Sequence, residues 1–198
     1  NELSDRRADI LRHVYGQQVF TFNAEQIHNY LPDELVPTVT LVNPPFSSSP
    51  NIASRRASAT LKHVRSAIRR TAPGGRIVLI SAHWFHPEGE WRDPFIGLQA
   101  DATLLLSAPV PADIYTKHGT HMQTRISVFD KVPAADPSSF QGVHHDATLD
   151  DLFRLVQQLP PRLPIPYQPE EHSRSRWTPA APPTPTPSHP PIPPSPHP

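Results

Sequence analysis

The chain contains no cysteine among its 198 residues. Disulfide bonds and thiolate metal sites are therefore excluded, which fits a reducing compartment. No apolar run approaches the roughly 20 residues that a membrane-spanning helix needs. No basic start followed by an apolar run marks a signal peptide either. These absences predict a cytoplasmic protein that has no membrane partner.

Neither sign of charge is in excess, because 18 basic residues balance 18 acidic residues. Overall electrostatics therefore favour neither nucleic acid nor membrane as a partner. The chain begins at Asn1, directly before helix-like sequence, and we interpret it as a piece whose natural start lies upstream.

Proline is the residue that is abundant, and its distribution divides the chain. Of 28 prolines, 12 precede residue 160 and 16 follow from Pro160 onward. Each proline removes a backbone donor and fixes φ, so the end of the chain cannot form a helix or a central strand. We predict one folded domain over residues 1–160 and a disordered, partly polyproline-II tail over residues 161–198.

Helix-like and strand-like segments alternate up to residue 160, which indicates a mostly parallel α/β sheet. Ser4 and Gly16 bound a first helix. The last two strands lack a helical crossover between them, so we expect them to form an antiparallel pair. The further predicted helices cover 24–31, 52–71 and 149–159, and the predicted strands cover 18–23, 38–43, 76–82, 101–110 and 124–130.

The stretch "NPPF", residues 43–46, follows the apolar strand "TVTLV". In open α/β sheets, ligands bind beyond the carboxyl ends of the strands, which is where Asn43 falls. The Asn43 amide oxygen and the carbonyl of Pro44 could accept both N–H groups of an exocyclic amine on a base. Pro45 stiffens the loop, and Phe46 offers a face on which the base could stack.

"NPPF" after an apolar strand resembles the signature of S-adenosylmethionine-dependent amino-methyltransferases. The segments "NEL", "FNAEQI", "RRTAPGGRIVLISA" and "KHGTHMQTRISVFDKVP" extend this resemblance over residues 1 to about 160. It is closest to the methyltransferase domain of strawberry-notch-like helicase fusion proteins. The implied fold is a Rossmann-like class I methyltransferase sheet, mostly parallel with a C-terminal antiparallel hairpin.

The resemblance assigns cofactor contacts to three residues. Glu2 would hold the ribose hydroxyls of S-adenosylmethionine, and the Asn23 side chain and Ala24 backbone would meet its adenine. Two of these residues have a simpler alternative role. Glu2 could interact with the dipole of the adjacent helix, and Asn23 could cap the following helix.

One part of the resembling fold has no counterpart here. Its first strand and the Gly-rich loop after it, where only glycine allows close backbone contact with the cofactor, do not occur in these 198 residues. The "APGG" segment is a helix stop before a later strand and does not replace that loop. We therefore expect this chain alone to bind S-adenosylmethionine weakly or not at all.

The implied activity is methyl transfer from S-adenosylmethionine to an exocyclic amine, with N6 of adenine in DNA as the first expectation. The alternatives are an RNA guanine-N2 or protein-glutamine methyltransferase, and a non-catalytic remnant that binds nucleic acid or a partner protein. The resemblance also implies a bacterial source, plasmid or phage coding, and a fused or associated helicase domain after the Pro-rich tail.

Weaker candidates lie between the last two strands and near the histidine pairs. Lys117, His118 and Arg125 could touch a phosphate of the substrate. Histidines at 83, 86, 144 and 145 have no convincing third ligand, and methyl transfer from S-adenosylmethionine needs no metal. We therefore predict no metal site.

Overall fold

The computed structural model describes residues 1–16, 18–44, 50–118 and 122–164, without the side chains of residues 50–57 and 116–118. Most of the predicted tail, from residue 165 onward, lies outside the described residues.

A mixed sheet of four strands organises the described part of the chain. Its strands are β1 (Val39–Val42), β2 (Arg76–Ala82), β3 (Thr103–Val110) and β4 (Thr124–Asp130), in the spatial order β1-β2-β4-β3. β1 and β2 are parallel, whereas β4 is antiparallel to both of its neighbours. The carboxyl ends of β1, β2 and β3 therefore meet at one edge. This confirms the predicted α/β class and its C-terminal antiparallel hairpin.

Helices cover both faces of this sheet. They are α1 (Asp5–Tyr15), α2 (Ile27–Tyr30), α3 (Pro50–Arg70), α4 (Arg92–Gln99) and α5 (Leu149–Gln157), with 3-10 turns at Ala24–Gln26, Gly89–Trp91 and Ala112–His118. The apolar stripe of α3 and the short helix α4 pack on one face, where Val64, Phe95 and Phe129 are completely buried. Leu152 of α5 packs with Leu106 on the other face. Burying each large apolar side chain contributes about 1.5–3 kcal/mol.

The segment before β1 differs from its prediction. Residues 18–23 do not form a strand of the sheet, although their β-branched and aromatic content suggested one. Instead they run beside the chain start, where Glu2 N donates to Phe20 O and Phe22 N donates to Asn1 Oδ1. Strand propensity forms a ladder only where a neighbouring strand offers hydrogen bonds, and none of the four described strands pairs with this segment.

Side chains of α3 anchor this N-terminal segment. Ser66 Oγ accepts a bond from His28 N at 3.2 Å and lies 2.7 Å from His28 Nδ1. Lys62 pairs with Glu25 at 3.3 Å, and Arg70 donates to the carbonyls of Pro32 and Leu35. Two basic side chains of α3, Lys62 and Arg70, thus bind the N-terminal segment of the same chain.

The outer edge of β3 is covered at one point by the loop that follows β4. Ser107 N donates to Gly142 O, and His144 N donates to Ser107 O. Gly142 has φ +71°, and a Cβ there would lie 2.3 Å from Leu105 O. Only glycine allows this approach, which falls at the irregular register between Leu104 and Leu106.

None of the helices in the described ranges is long and apolar enough to cross a membrane.

Candidate functional site

Asn43 lies directly beyond β1, at the edge where three strands end. Its side chain is exposed and forms no hydrogen bond with any described residue, whereas the next residue, Pro44, is buried. Val42, the last residue of β1, packs against the main core and pairs with Leu79. A polar amide is thus held open to solvent between an anchored strand end and a buried proline. Pro45 and Phe46, the other half of the motif, lie outside the described residues.

Glu2 is engaged by its own helix. Its Oε1 accepts hydrogen bonds from Ser4 N and from Arg7 Nη2, both at 2.9 Å. The Arg7 hydrogen bond, followed by that from Ser4, lowers the pKa of the Glu2 carboxyl. Glu2 Oε2 accepts no bond from a described residue. The carboxylate is therefore held in place through Oε1, while Oε2 is not used by a described hydrogen-bond donor.

Asn23 caps the 3-10 turn that begins at Ala24, because its Oδ1 accepts from Glu25 N at 3.0 Å. The alternative capping role of Asn23 is therefore confirmed. The Asn1 side chain donates a hydrogen bond to Phe22 O and accepts one from Phe22 N. The residues that follow them in the chain, Glu2 and Asn23, are thereby brought close together. Three rings stack beside them, with centroids 5.5 Å apart between Phe20 and Phe22 and 5.5 Å apart between Phe22 and Tyr30.

Arg125 is buried in β4, with 4% of its surface exposed. Its Nε donates to His83 O at 3.2 Å, and its Nη1 donates to Ser107 Oγ at 3.2 Å and His144 O at 2.9 Å. Burial lowers the pKa of its guanidinium. Lys117 and His118 belong to the 3-10 turn before β4, but their side chains are outside the described set. The structure therefore fixes only one of these three candidates.

The loop after β2 carries an aromatic cluster and an imidazole pair. Trp84, Phe85 and Trp91 lie together, with centroid distances of 5.0 to 6.2 Å. Glu88 lies 3.7 Å from His86 Nδ1 and 3.3 Å from His145 Nε2. Desolvation, and then the charge of Arg125, lower the pKa of His86. Within the described ranges, no group of three His, Cys, Asp or Glu side chains is arranged to hold a metal ion.

Sequence reasoning missed the polar patch around Arg125. Ser81, Ser107 and Ser127 are all completely buried on the same sheet face as Arg125. The available signal was the alternation in "TRISVFD", which places Arg125, Ser127 and Phe129 on one face. That face turns from apolar to polar as it approaches the carboxyl edge.

No protein-family model and no curated protein sequence matches the chain. Among solved structures, TrmN from Thermus thermophilus is similar over 66% of this chain and 35% of its own, with 16% identity and a TM-score of 0.47. The M protein of the type I restriction enzyme EcoKI is similar over 58% of this chain and 24% of its own, with 20% identity and a TM-score of 0.43.

An rRNA methylase from Streptococcus thermophilus is similar over 66% of this chain and 70% of its own, with 12% identity and a TM-score of 0.38. The chain thus spans about a third of TrmN and a quarter of the M protein.

Proposed function

We propose that this chain carries the substrate side of an S-adenosylmethionine-dependent methyltransferase site. The acceptor is an exocyclic amine, and we take it to be N6 of adenine in DNA. The observation that carries the proposal is the placement of Asn43. Its exposed, unbonded amide follows a strand at the edge of an α/β sheet where ligands bind, and "NPPF" supplies the matching acceptors.

An exocyclic amine is a poor nucleophile because its lone pair is delocalised into the ring. Asn43 Oδ1 and the Pro44 carbonyl would accept its two N–H groups and favour a more tetrahedral nitrogen. S-adenosylmethionine, when bound, supplies an electrophilic methyl group. Orienting the amine toward that methyl would provide much of the acceleration, and its proton can leave after transfer.

The N-terminal residues fit the adenosine part of the cofactor. Glu2 keeps one carboxylate oxygen free for a ribose hydroxyl, and Asn23 and Ala24 lie beside the stacked rings of Phe20 and Phe22. The methionine part has no glycine-rich loop to meet in these 198 residues.

On the substrate side, Phe46 would stack on the target base, and a duplex would need that base flipped out. Lys117, His118 and Arg125 would contribute contacts to the substrate's phosphates. A helicase domain after the Pro-rich tail remains part of this proposal, since a helicase would supply unpaired strands.

A second candidate is a non-catalytic module that binds nucleic acid or a partner protein. The engagement of Glu2 by Ser4 and Arg7 favours it. An RNA guanine-N2 or protein-glutamine amide acceptor would use the same two oxygens at Asn43 and Pro44.

The test is Asn43→Ala, in a form of the protein that includes a glycine-rich cofactor loop before Asn1. Labelled-methyl transfer to adenine-containing DNA should fall by on the order of a hundredfold or more, as for loss of one well-placed active-site hydrogen bond. The melting temperature should not change, because the side chain is exposed.

Asn29→Ala is the matched control, since Asn29 is an exposed asparagine on α2. It should retain both activity and stability. If Asn43→Ala transfers methyl groups at the parental rate, "NPPF" only ends a strand. If the parent shows no transfer to DNA, RNA or glutamine peptides, the binding-module candidate is favoured instead.

A further inference from the structure

Three buried polar side-chain atoms have no hydrogen-bond partner in the described part of the chain. They are Ser81 Oγ, His86 Nδ1 and Trp91 Nε1. All three lie in one stretch of eleven residues, at the end of β2 and in the loop after it. Buried polar atoms are nearly always satisfied, so such a concentration points to a group that binds there.

Arg125 brings a buried positive charge to the same place, and the carboxylate that acts on it electrostatically is that of Glu88. Arg125 stays protonated at neutral pH, yet no carboxylate of a described residue lies within 4.0 Å of it. Its Nε and Nη1 are used by His83, Ser107 and His144, whereas Nη2 makes no hydrogen bond with a described residue. Glu88 offsets this buried charge only from beyond 4.0 Å, so an anion in direct contact with the guanidinium would lower its desolvation cost further.

The sheet register places these groups side by side. Ser81 and Arg125 are direct partners in the antiparallel β2–β4 pair, so their side chains emerge on the same face. Ser81 lies two residues beyond Leu79, the partner of Val42, and so reaches the edge where Asn43 follows β1. The patch therefore adjoins the proposed acceptor site.

His86 and Glu88 form the outer boundary of the patch. The side chain of His86 is 25% exposed, and Glu88 lies 3.7 Å from its Nδ1, too far for a hydrogen bond. Glu88 instead lies 3.3 Å from the exposed His145. His86 Nδ1 itself is buried and has no hydrogen-bond partner in the described chain, so a ligand would reach it past the exposed part of the ring and Glu88.

We propose that Arg125, Ser81 and His86 form a binding site for a phosphate group. Arg125 Nη2 and the Ser81 hydroxyl would donate to phosphate oxygens, and His86 would add a third donor in the tautomer protonated at Nδ1. The phosphate could belong to a nucleic-acid strand or to a free nucleotide. The site does not depend on methyl transfer, so it can be tested without cofactor.

The test is a thermal melt of the 198-residue chain in about 50 mM inorganic phosphate, against sodium chloride of equal ionic strength. Phosphate should raise the melting temperature by about 3–6 °C, as expected for a ligand at ten or more times its Kd. Ser81→Ala should leave the melting temperature in chloride within about 1 °C of the parent, because Ser81 Oγ has no partner to lose. It should reduce the phosphate shift by at least half.

Two controls separate binding from stability. Ser66→Ala removes another buried serine, which bonds His28. It should lower the melting temperature in chloride and keep the rise that phosphate causes. His83→Asn changes an exposed histidine of the same loop and should alter neither quantity. His86→Phe should reduce the phosphate shift by at least half, as Ser81→Ala does.

Adenosine monophosphate and a short oligothymidylate distinguish the two sources of phosphate. If Ser81→Ala weakens oligothymidylate binding, the site takes a backbone diester; if only phosphate and the mononucleotide are affected, it takes a terminal phosphate. An unchanged phosphate shift in Ser81→Ala, or no shift in the parent, would overturn the proposal and leave Arg125 as a structural cross-link. Either failure would leave the Asn43 test unaffected.

Discussion

β1 and β2 are neighbouring parallel strands of similar apolar content, yet their surroundings differ. In β2, Ile77 and Leu79 are completely buried between β1, β4 and the helices. In β1, Leu41 is 78% exposed and Val39 is 42% exposed. The described chain supplies β1 with one strand neighbour, whereas β2 has two.

The same contrast separates the two ends of the molecule. The part built on β2, β4 and β3 encloses Phe85, Phe95 and Phe129 without exposed surface. The N-terminal part leaves Ile10, Val14 and Tyr15 of α1 more than half exposed. Apolar sequence therefore produces a core only where the topology brings a second layer against it. We call these parts the closed half (residues 58–118 and 122–164) and the open half (residues 1–16 and 18–44).

The largest expected difference between the halves concerns large apolar side chains. Phe129→Ala in the closed half should reduce the free energy of unfolding by about 3–5 kcal/mol, because it leaves a cavity in a packed core. Leu41→Ala in the open half should cost less than about 0.5 kcal/mol, since the side chain is mostly in water. Urea denaturation of both variants measures the difference. A comparable loss at Leu41 would contradict the exposure of this face of β1.

The helix N-caps should show a smaller difference in stability between the two halves. In α5, Thr148 and Asp151 form a reciprocal capping box, with Asp151 N donating to Thr148 Oγ1 at 3.1 Å. Thr148→Ala should therefore cost about 1 kcal/mol. Ser4 occupies the same position in α1 but its side chain makes no capping bond. Ser4→Ala should be nearly neutral in the same denaturation series, and equal costs for the two variants would contradict the contrast.

The smallest expected effect is a selective loosening of the open half in acid. Desolvation, and then Arg69, lower the pKa of His28 below its ordinary value of 6.5. The folded state therefore binds fewer protons than the unfolded state, so this contribution to stability is complete above pH 6.5 and is lost as the pH falls below it. Protonation of His28 at Nε2 should break the hydrogen bond that Arg69 Nη1 donates to it at 3.3 Å and place two positive charges side by side.

Hydrogen exchange, corrected for intrinsic rates, should show protection of residues 24–30 falling between about pH 7 and 5.5 while β2 and β4 stay protected. His28→Gln, which cannot titrate, should flatten this dependence. Parallel loss of protection in both halves would show that the two halves unfold as one unit.

Elements with a strong local pattern were predictable. "RIVLISA" has the uniform apolar content of a strand buried on both faces, and it forms β2. The apolar spacing of α3 and the hairpin of β3 and β4 were also predictable from sequence. In each case local preference and tertiary packing agree.

α4 was not predicted, because "RDPFIGLQ" contains a proline and a glycine in eight residues. Pro94 falls in the first turn, where its missing N–H costs no helical hydrogen bond. The burial of Phe95 and Leu98 then outweighs the weak propensity. Packing of this kind depends on residues far along the chain, which local sequence does not reveal.

The candidate site was predictable only in part. Asn43 was located by its place after a strand, and Asn23 by its capping residue type. The convergence of Ser81, His86 and Arg125 was not, because it depends on the register between β2 and β4. A shift of one residue would have turned Arg125 to the opposite face.

The segment 142–144, which is hydrogen-bonded to the outer side of β3, limits how the sheet can associate with other chains. A strand adding to the outer side of β3 would have to displace the hydrogen bonds that Ser107 makes with Gly142 and His144. The outer side of β1 has no such cover in the described chain. Repeated edge-to-edge stacking requires two receptive edges, so pairing through β1 would end with two copies and would not extend into a fibre.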